Sequence, residues 1–121
     1  MRKILVVDDQ PDIRRLICIT LGKRYEIIEA ADGLAALDLL RSAKPDAVIL
    51  DIMMPGEIDG LGVLHKIKGD EASKETFVVM VTAKGQASDF EGAIQSGADA
   101  YLIKPFSPLQ LMNLLQDKFA P

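Results

Sequence analysis

Two kinds of pattern alternate along the chain. Short unbroken aliphatic runs, each ending close to a polar residue, are separated by longer stretches in which apolar residues recur every three or four positions. The runs read as strands buried on both faces, as in a parallel sheet, and the longer stretches as amphipathic helices. Residues 4–7 are the first predicted strand, which ends on Asp8-Asp9. Pro11 suits the first turn of the next helix, where its missing N–H costs nothing. Ile13, Leu16, Ile17 and Leu21 give that helix its apolar spacing, and Gly22 suits its end. Residues 25–30 form a second strand, and Asp32-Gly33 starts a helix with Leu34, Leu37 and Leu40 along one side, closed by Lys44-Pro45.

The central run is Val48-Ile49-Leu50, which meets Asp51 and is stopped soon after by Pro55, a residue with no N–H for a ladder. Residues 60–68 predict a third helix with Leu61, Leu64 and Ile67 inward, and residues 77–81 a fourth strand ending on Thr82-Ala83. Residues 87–96 form a weaker helix with Phe90, Ala93 and Ile94 inward. Gly92 in its interior costs roughly 1 kcal/mol against Ala, and Gly97 serves as a left-handed cap. A fifth strand over residues 100–103 ends on Lys104-Pro105. Ser107-Pro108-Leu109-Gln110 is a capping box with proline at the first helical position, and its helix carries Leu111, Met112, Leu114 and Leu115.

Five strands alternating with five helices predict an α/β fold: a doubly wound parallel sheet with right-handed crossovers and helices on both faces. All strand ends of such a sheet lie on one edge, where open α/β sheets bind ligands. Asp8, Asp9, Asp51, Thr82 and Lys104 therefore gather around one crevice, while the second strand contributes nothing and is peripheral. Aspartate is also a favoured helix cap, so the stretch around Asp51 taken alone leaves a capping role open.

Composition narrows the classes. A chain of 121 residues, 49% hydrophobic and 26% charged, suits one globular domain over residues 1–121 without repeats or low-complexity segments. The net charge of −4 and the lack of a Lys/Arg run argue against a direct nucleic-acid or anionic-membrane surface. Cys18, the one cysteine, fits a small core residue in a reducing compartment. The N-terminal apolar run is too short for a signal peptide or a membrane span, so a soluble, cytoplasmic protein is expected.

Three crowded carboxylates repel one another unless a cation joins them. Oxygen ligands with few protein donors suit a hard ion that keeps several waters, and Mg²⁺ is the natural choice. With Lys104, such an ion makes a site for a dianionic group. A carboxylate so placed can attack phosphorus and form an acyl phosphate, with Thr82 and Lys104 compensating phosphoryl charge.

The paired Asp8-Asp9, Asp51 followed by Met-Met-Pro, the Thr82-Ala83 pair and the Tyr101-Leu-Ile-Lys104-Pro105-Phe106 run together resemble the receiver domain of two-component response regulators, over the whole chain. The resemblance implies a flavodoxin-like (βα)5 fold with strand order 2-1-3-4-5. It implies that Asp51 accepts a phosphoryl group from a phosphohistidine of a histidine kinase or a histidine phosphotransfer protein. It implies Mg²⁺ held by Asp9, Asp51 and the main-chain carbonyl of Met53, with Asp8 acting through water. Thr82 and Tyr101 match the family's switch pair, and Pro105 matches a usually cis proline. On that reading phosphorylation draws Thr82 inward and Tyr101 swings from solvent into the gap. The surface over residues 87–118 then changes and receives an output partner or a second copy. Lys104 would pair with the phosphoryl group rather than build the fold, so Lys104→Ala is expected to melt near or above the wild type.

The segment from Pro55 to Gly60 looks one residue longer than the family's common form, and Met53 and Lys84 fall at positions that vary in the family. His65, the one histidine, lies on the third helix away from the crevice and is neither ligand nor phosphodonor. The rival reading is a Mg²⁺-dependent aspartyl-phosphate phosphohydrolase. Such enzymes carry a second Asp two residues after the nucleophile, where this chain has Met53. Nucleotide binding is disfavoured because no Gly-rich phosphate loop is present. The cognate kinase, the output, and whether the chain stands alone or belongs to a longer regulator are left open.

Overall fold

The computed structural model describes residues 1–83 and 97–120. Five parallel strands form one sheet in the order β2-β1-β3-β4-β5: β1 Lys3–Val7, β2 Glu26–Ala30, β3 Ala47–Asp51, β4 Phe77–Ala83 and β5 Ala100–Lys104. Helix α1 is Pro11–Leu21, α2 is Gly33–Ala43, α3 is Gly60–Gly69, and the C-terminal helix is Pro108–Phe119. The flavodoxin-like topology implied by the resemblance is the one observed. The weaker helix expected over residues 87–96, Gly92 included, lies outside the described residues, as does Lys84.

Strand side chains alternate between the two faces of a sheet, and here both faces are covered. Leu5, Val7, Val48, Leu50, Val78 and Met80 pack with Leu37 of α2 and with Val63, Leu64 and Ile67 of α3. Ile4, Val6, Ile49, Val79 and Val81 pack on the other face with Ile17 and Leu21 of α1 and with Leu111 and Leu115 of the C-terminal helix. Each Leu or Ile buried this fully contributes about 1.5–3 kcal/mol. Burial on both faces is why β3 is apolar at every position before Asp51.

Helix starts follow their caps. Asp32 accepts a hydrogen bond from the Ala35 amide at 2.8 Å, and Asp59 accepts one from the Gly62 amide at 2.9 Å. Ser107 forms the expected capping box, its hydroxyl accepting from the Leu109 amide while the Gln110 side chain accepts from the Ser107 amide. Lys44 closes α2 in the left-handed region at φ 50°, and Gly97 adopts φ +93°. Gly22 ends α1 in a right-handed conformation instead.

Two residues of the predicted apolar stripes are exposed. Leu34 is 52% exposed and Leu16 is 40% exposed. Leu34 lies at the very start of α2, so Ala36 and Leu37 meet the sheet instead. In α1 the buried positions are Ile17 and Leu21, four residues apart, and Leu16 falls beside that stripe.

Candidate functional site

Strand register brings the polar residues to one edge. Val7 lies opposite Leu50 and Asp51 opposite Val81, so Asp8 and Asp51 stand level and Thr82 one residue beyond them. Carboxylate oxygens of Asp8, Asp9 and Asp51 lie within 4.8 Å of one another. Asp8 and Asp51 are buried, whereas Asp9 is exposed. The stem of Lys104 carries its ammonium across β4 to both buried acids, 3.0 Å from Asp8 Oδ2 and 3.2 Å from Asp51 Oδ2. The other Asp51 oxygen accepts from the Met53 amide at 3.3 Å, and Asp8 Oδ1 accepts from the Gln10 amide at 2.9 Å. The Lys104–Pro105 peptide is cis.

The charges are not balanced. Burial and the neighbouring Asp8 push the Asp51 carboxyl above the ordinary carboxylate range, against the opposing pull of Lys104 and the Met53 amide. Burial alone would lower the Lys104 ammonium, but the hydrogen bond to Asp8 and the charges of Asp51 and Asp8 outweigh it and raise it. Three carboxylates facing one ammonium leave room for a further cation.

Thr82 is buried, and its hydroxyl lies 3.3 Å from the Ala83 carbonyl oxygen. Tyr101 departs from the expectation that it faces solvent. Its ring packs against the α2/α3 side of the core and its hydroxyl oxygen is buried. Burial, with the charge of Asp99 added, raises its phenol. The start of β5 is itself fixed: Lys68 Nζ donates to Asp99 Oδ2 at 2.9 Å and to the Thr76 carbonyl at 2.7 Å.

The response regulator receiver domain model matches residues 4–116, nearly the whole of this arrangement. The chain belongs to that family. Among relatives, the receiver domain is 42% identical over 110 residues to "Probable transcriptional regulator ycf27" of Guillardia theta, covering 90% of this chain and 42% of that one. It is 37% identical over 112 residues to the phosphate regulon transcriptional regulatory protein PhoB of Escherichia coli, covering 92% and 48%. This receiver domain thus spans less than half the length of those relatives. Its fold matches the chemotaxis response regulator CheY4 of Vibrio cholerae with a TM-score of 0.88 at 33% identity, covering 97% and 98% of the two chains. The receiver domain of NtrX from Brucella abortus gives 0.87 at 35% identity, covering 94% and 95%. Among the described residues no helix is long and apolar enough to cross a membrane.

Two residues that support the receiver site carry no clear mark in the sequence. A Cβ on Gly60 would collide with the Asp51 carbonyl oxygen and come within 2.7 Å of the Ile52 Cα. The Gly60 amide also donates to the Ile52 carbonyl at 3.0 Å, so α3 begins hard against the strand end that carries Asp51. Ile58, in the long loop, fills the space that side chains at Gly33 and Gly62 would occupy. The loop from Pro55 to Gly60 turns at Gly56, with φ +112°, and seats Ile58 between the starts of α2 and α3.

The ion pairs revise the expectation for Lys104. Its ammonium already compensates two buried carboxylates, so its loss leaves uncompensated buried charge. Breaking a fully buried pair costs about 3–5 kcal/mol. Lys104 is 20% exposed, which reduces the expected deficit of metal-free Lys104→Ala to about 1–3 kcal/mol at neutral pH. The sign with pH follows from Asp51, whose folded-state carboxyl titrates above its unfolded value. The folded state takes up that proton first, so stability rises as pH falls through the folded value. Chemical denaturation should therefore show the mutant deficit shrinking towards acid pH, where Asp51 is neutral. A deficit that stays constant from neutral to acid pH would contradict this account of the ion pairs.

Proposed function

We propose that the whole chain, residues 1–121, is one receiver domain that takes a phosphoryl group on Asp51 from a phosphohistidine of a sensor kinase or phosphotransfer protein. The observation that carries this reading is the placement of Asp51 at the end of the central strand, within reach of Lys104 and beside two further carboxylates. An Asp51 oxygen attacks phosphorus, the P–N bond breaks, and its electron pair leaves on the imidazole of the donor. Thr82 and Lys104 would compensate the charge on the transferred oxygens. The chain catalyses its own phosphorylation and dephosphorylation and no other reaction.

The donor set fits a hard divalent cation: three carboxylate oxygens within 4.8 Å, with too little positive charge to balance them. Asp9, Asp51 and the Met53 carbonyl would hold Mg²⁺, with Asp8 acting through water. The ion supplies charge compensation for the phosphoryl group when bound. On this reading the chain resides in the cytoplasm, where a kinase would meet it.

Thr82 and Tyr101 act as the switch pair. The Tyr101 hydroxyl is already buried and the Thr82 hydroxyl lies against the Ala83 carbonyl, so a phosphoryl group would act by drawing Thr82 towards Asp51, through its differential affinity for that state. The surface over residues 87–118 then meets an output partner or a second copy of the chain. NMR spectra with Mg²⁺ and beryllofluoride test the reading. Shifts should extend from the loops around Asp51 into residues 97–118, and titration calorimetry should show one Mg²⁺ site that Asp9→Ala loses. Shifts confined to those loops, or undiminished Mg²⁺ binding by Asp9→Ala, would contradict it.

A further inference from the structure

Arg14 lies in the second turn of α1 and points back across the first, as helical side chains tilt towards the N-terminus. Its Nη1 donates to the main-chain carbonyl of Asp8 at 2.6 Å, and its Nε donates to Glu29 Oε1 on β2 at 3.2 Å. The side chain is 17% exposed. A cation near a helix N-terminus is disfavoured by the helix dipole, so this placement needs compensation, and the Asp8 carbonyl and Glu29 provide it.

We infer that Arg14 is a positioning residue for the acidic site, holding the Asp8–Asp9 peptide so that both carboxylates converge with Asp51. The inference rests on the Mg²⁺ reading above. The carbonyl of Asp8 lies in the plane of the peptide that joins it to Asp9, and fixing that oxygen fixes the direction in which Asp9 leaves the strand. The Asp8 amide donates to the Ala30 carbonyl at 3.2 Å, and Asp8 Oδ1 accepts from the Gln10 amide. Arg14 thus restrains the one peptide between two acids that the ladder of β1 does not reach. A charge-assisted bond of this length is strong, and the planar guanidinium serves both partners at once. Glu29 cancels the charge, so Arg14 can orient the carboxylates without adding net positive charge that would repel a metal ion.

Arg14→Met should weaken Mg²⁺ binding about tenfold, the lower end of the loss seen when a residue supporting metal ligands is removed. Saturating Mg²⁺ should restore acetyl phosphate labelling to the wild-type rate. Arg14→Lys should recover part of the affinity, since an ammonium can reach the Asp8 carbonyl but lacks the fork for Glu29. Glu29→Gln should weaken binding less, and should add nothing in the Arg14→Met background. Amide exchange without metal gives an independent readout: Gln10 should exchange faster in Arg14→Met relative to the strands of the core. Should wild type itself bind no Mg²⁺, the metal reading fails, and the Gln10 exchange alone decides the role of Arg14. Unchanged Mg²⁺ affinity with a lowered melting temperature, or unchanged Gln10 exchange, would overturn the proposal. Should Arg14→Met fail to fold, Arg14→Lys with wild-type affinity and wild-type Gln10 exchange would overturn it equally.

Discussion

Asp51→Asn is expected to take up no phosphoryl group from acetyl phosphate with Mg²⁺, and to be more stable than the wild type without metal. The first effect follows from removal of the nucleophilic oxygen at the end of the central strand: an amide is a poor nucleophile towards phosphorus. The second follows from burial. Asp51 is 6% exposed and its carboxyl is pushed up by desolvation and by Asp8, so its ionised form costs the fold energy at neutral pH. An amide of nearly the same shape removes that cost and leaves Lys104 paired with Asp8. The gain is on the order of 1 kcal/mol, a few degrees in melting temperature for a domain of this size. It should vanish on acidification, because protonated wild-type Asp51 carries no charge either. Thermal melts at neutral and acid pH check it. An Asp51→Asn protein less stable than wild type at neutral pH would show that the Lys104–Asp51 pair outweighs desolvation.

Gly60→Ala should have the largest effect on the fold. The added methyl collides with the Asp51 carbonyl oxygen and closes to 2.7 Å on the Ile52 Cα. Both are backbone atoms, so no rotamer change relieves the clash. The start of α3 must move away from β3, at the expense of the Gly60–Ile52 hydrogen bond and the Asp59 cap. Overpacking of this kind costs about 1–3 kcal/mol, occasionally more, with up to about 1 kcal/mol added if the cap is lost. Denaturation midpoints measure it, and the Mg²⁺ affinity should fall as well because Asp51 moves with its carbonyl. Gly56→Ala is the comparison. Its Cβ would meet nothing within 4 Å, and only its φ of +112° opposes the change, at about 1–3 kcal/mol of backbone strain. Gly56→Ala should leave Mg²⁺ affinity unchanged, and an equal loss of Mg²⁺ affinity at the two glycines would contradict the steric account of Gly60.

The features legible in the sequence are those that depend on neighbours along the chain. Val48-Ile49-Leu50 before Asp51 announces a strand buried on both faces, and the strand ends then place Asp8, Thr82 and Lys104 without further information. The helix starts at Asp32 and Ser107 are local as well. What stayed hidden depends on contacts between distant segments. Gly60 looks like an ordinary helix start until the Asp51 carbonyl is seen against it. Ile58 looks like a loop residue, and only the fold shows it between Gly33 and Gly62. Leu34 has the right helical spacing, but the position of α2 over the sheet leaves it exposed. Tyr101 sits on a half-buried strand, and its inward side chain is a rotamer choice that no sequence spacing dictates. Arg14 is one of two adjacent arginines, and nothing local says which one reaches the Asp8 carbonyl.

Borohydride trapping tests the central claim most directly. The protein is incubated with acetyl phosphate and Mg²⁺, reduced so that an acyl phosphate becomes an alcohol, and mapped by peptide mass spectrometry. The account predicts one modified residue, Asp51 converted to homoserine, with no conversion when Mg²⁺ is chelated. Conversion at Asp8 or Asp9 in place of Asp51, or none at any residue under conditions that fully label another receiver domain, would contradict it.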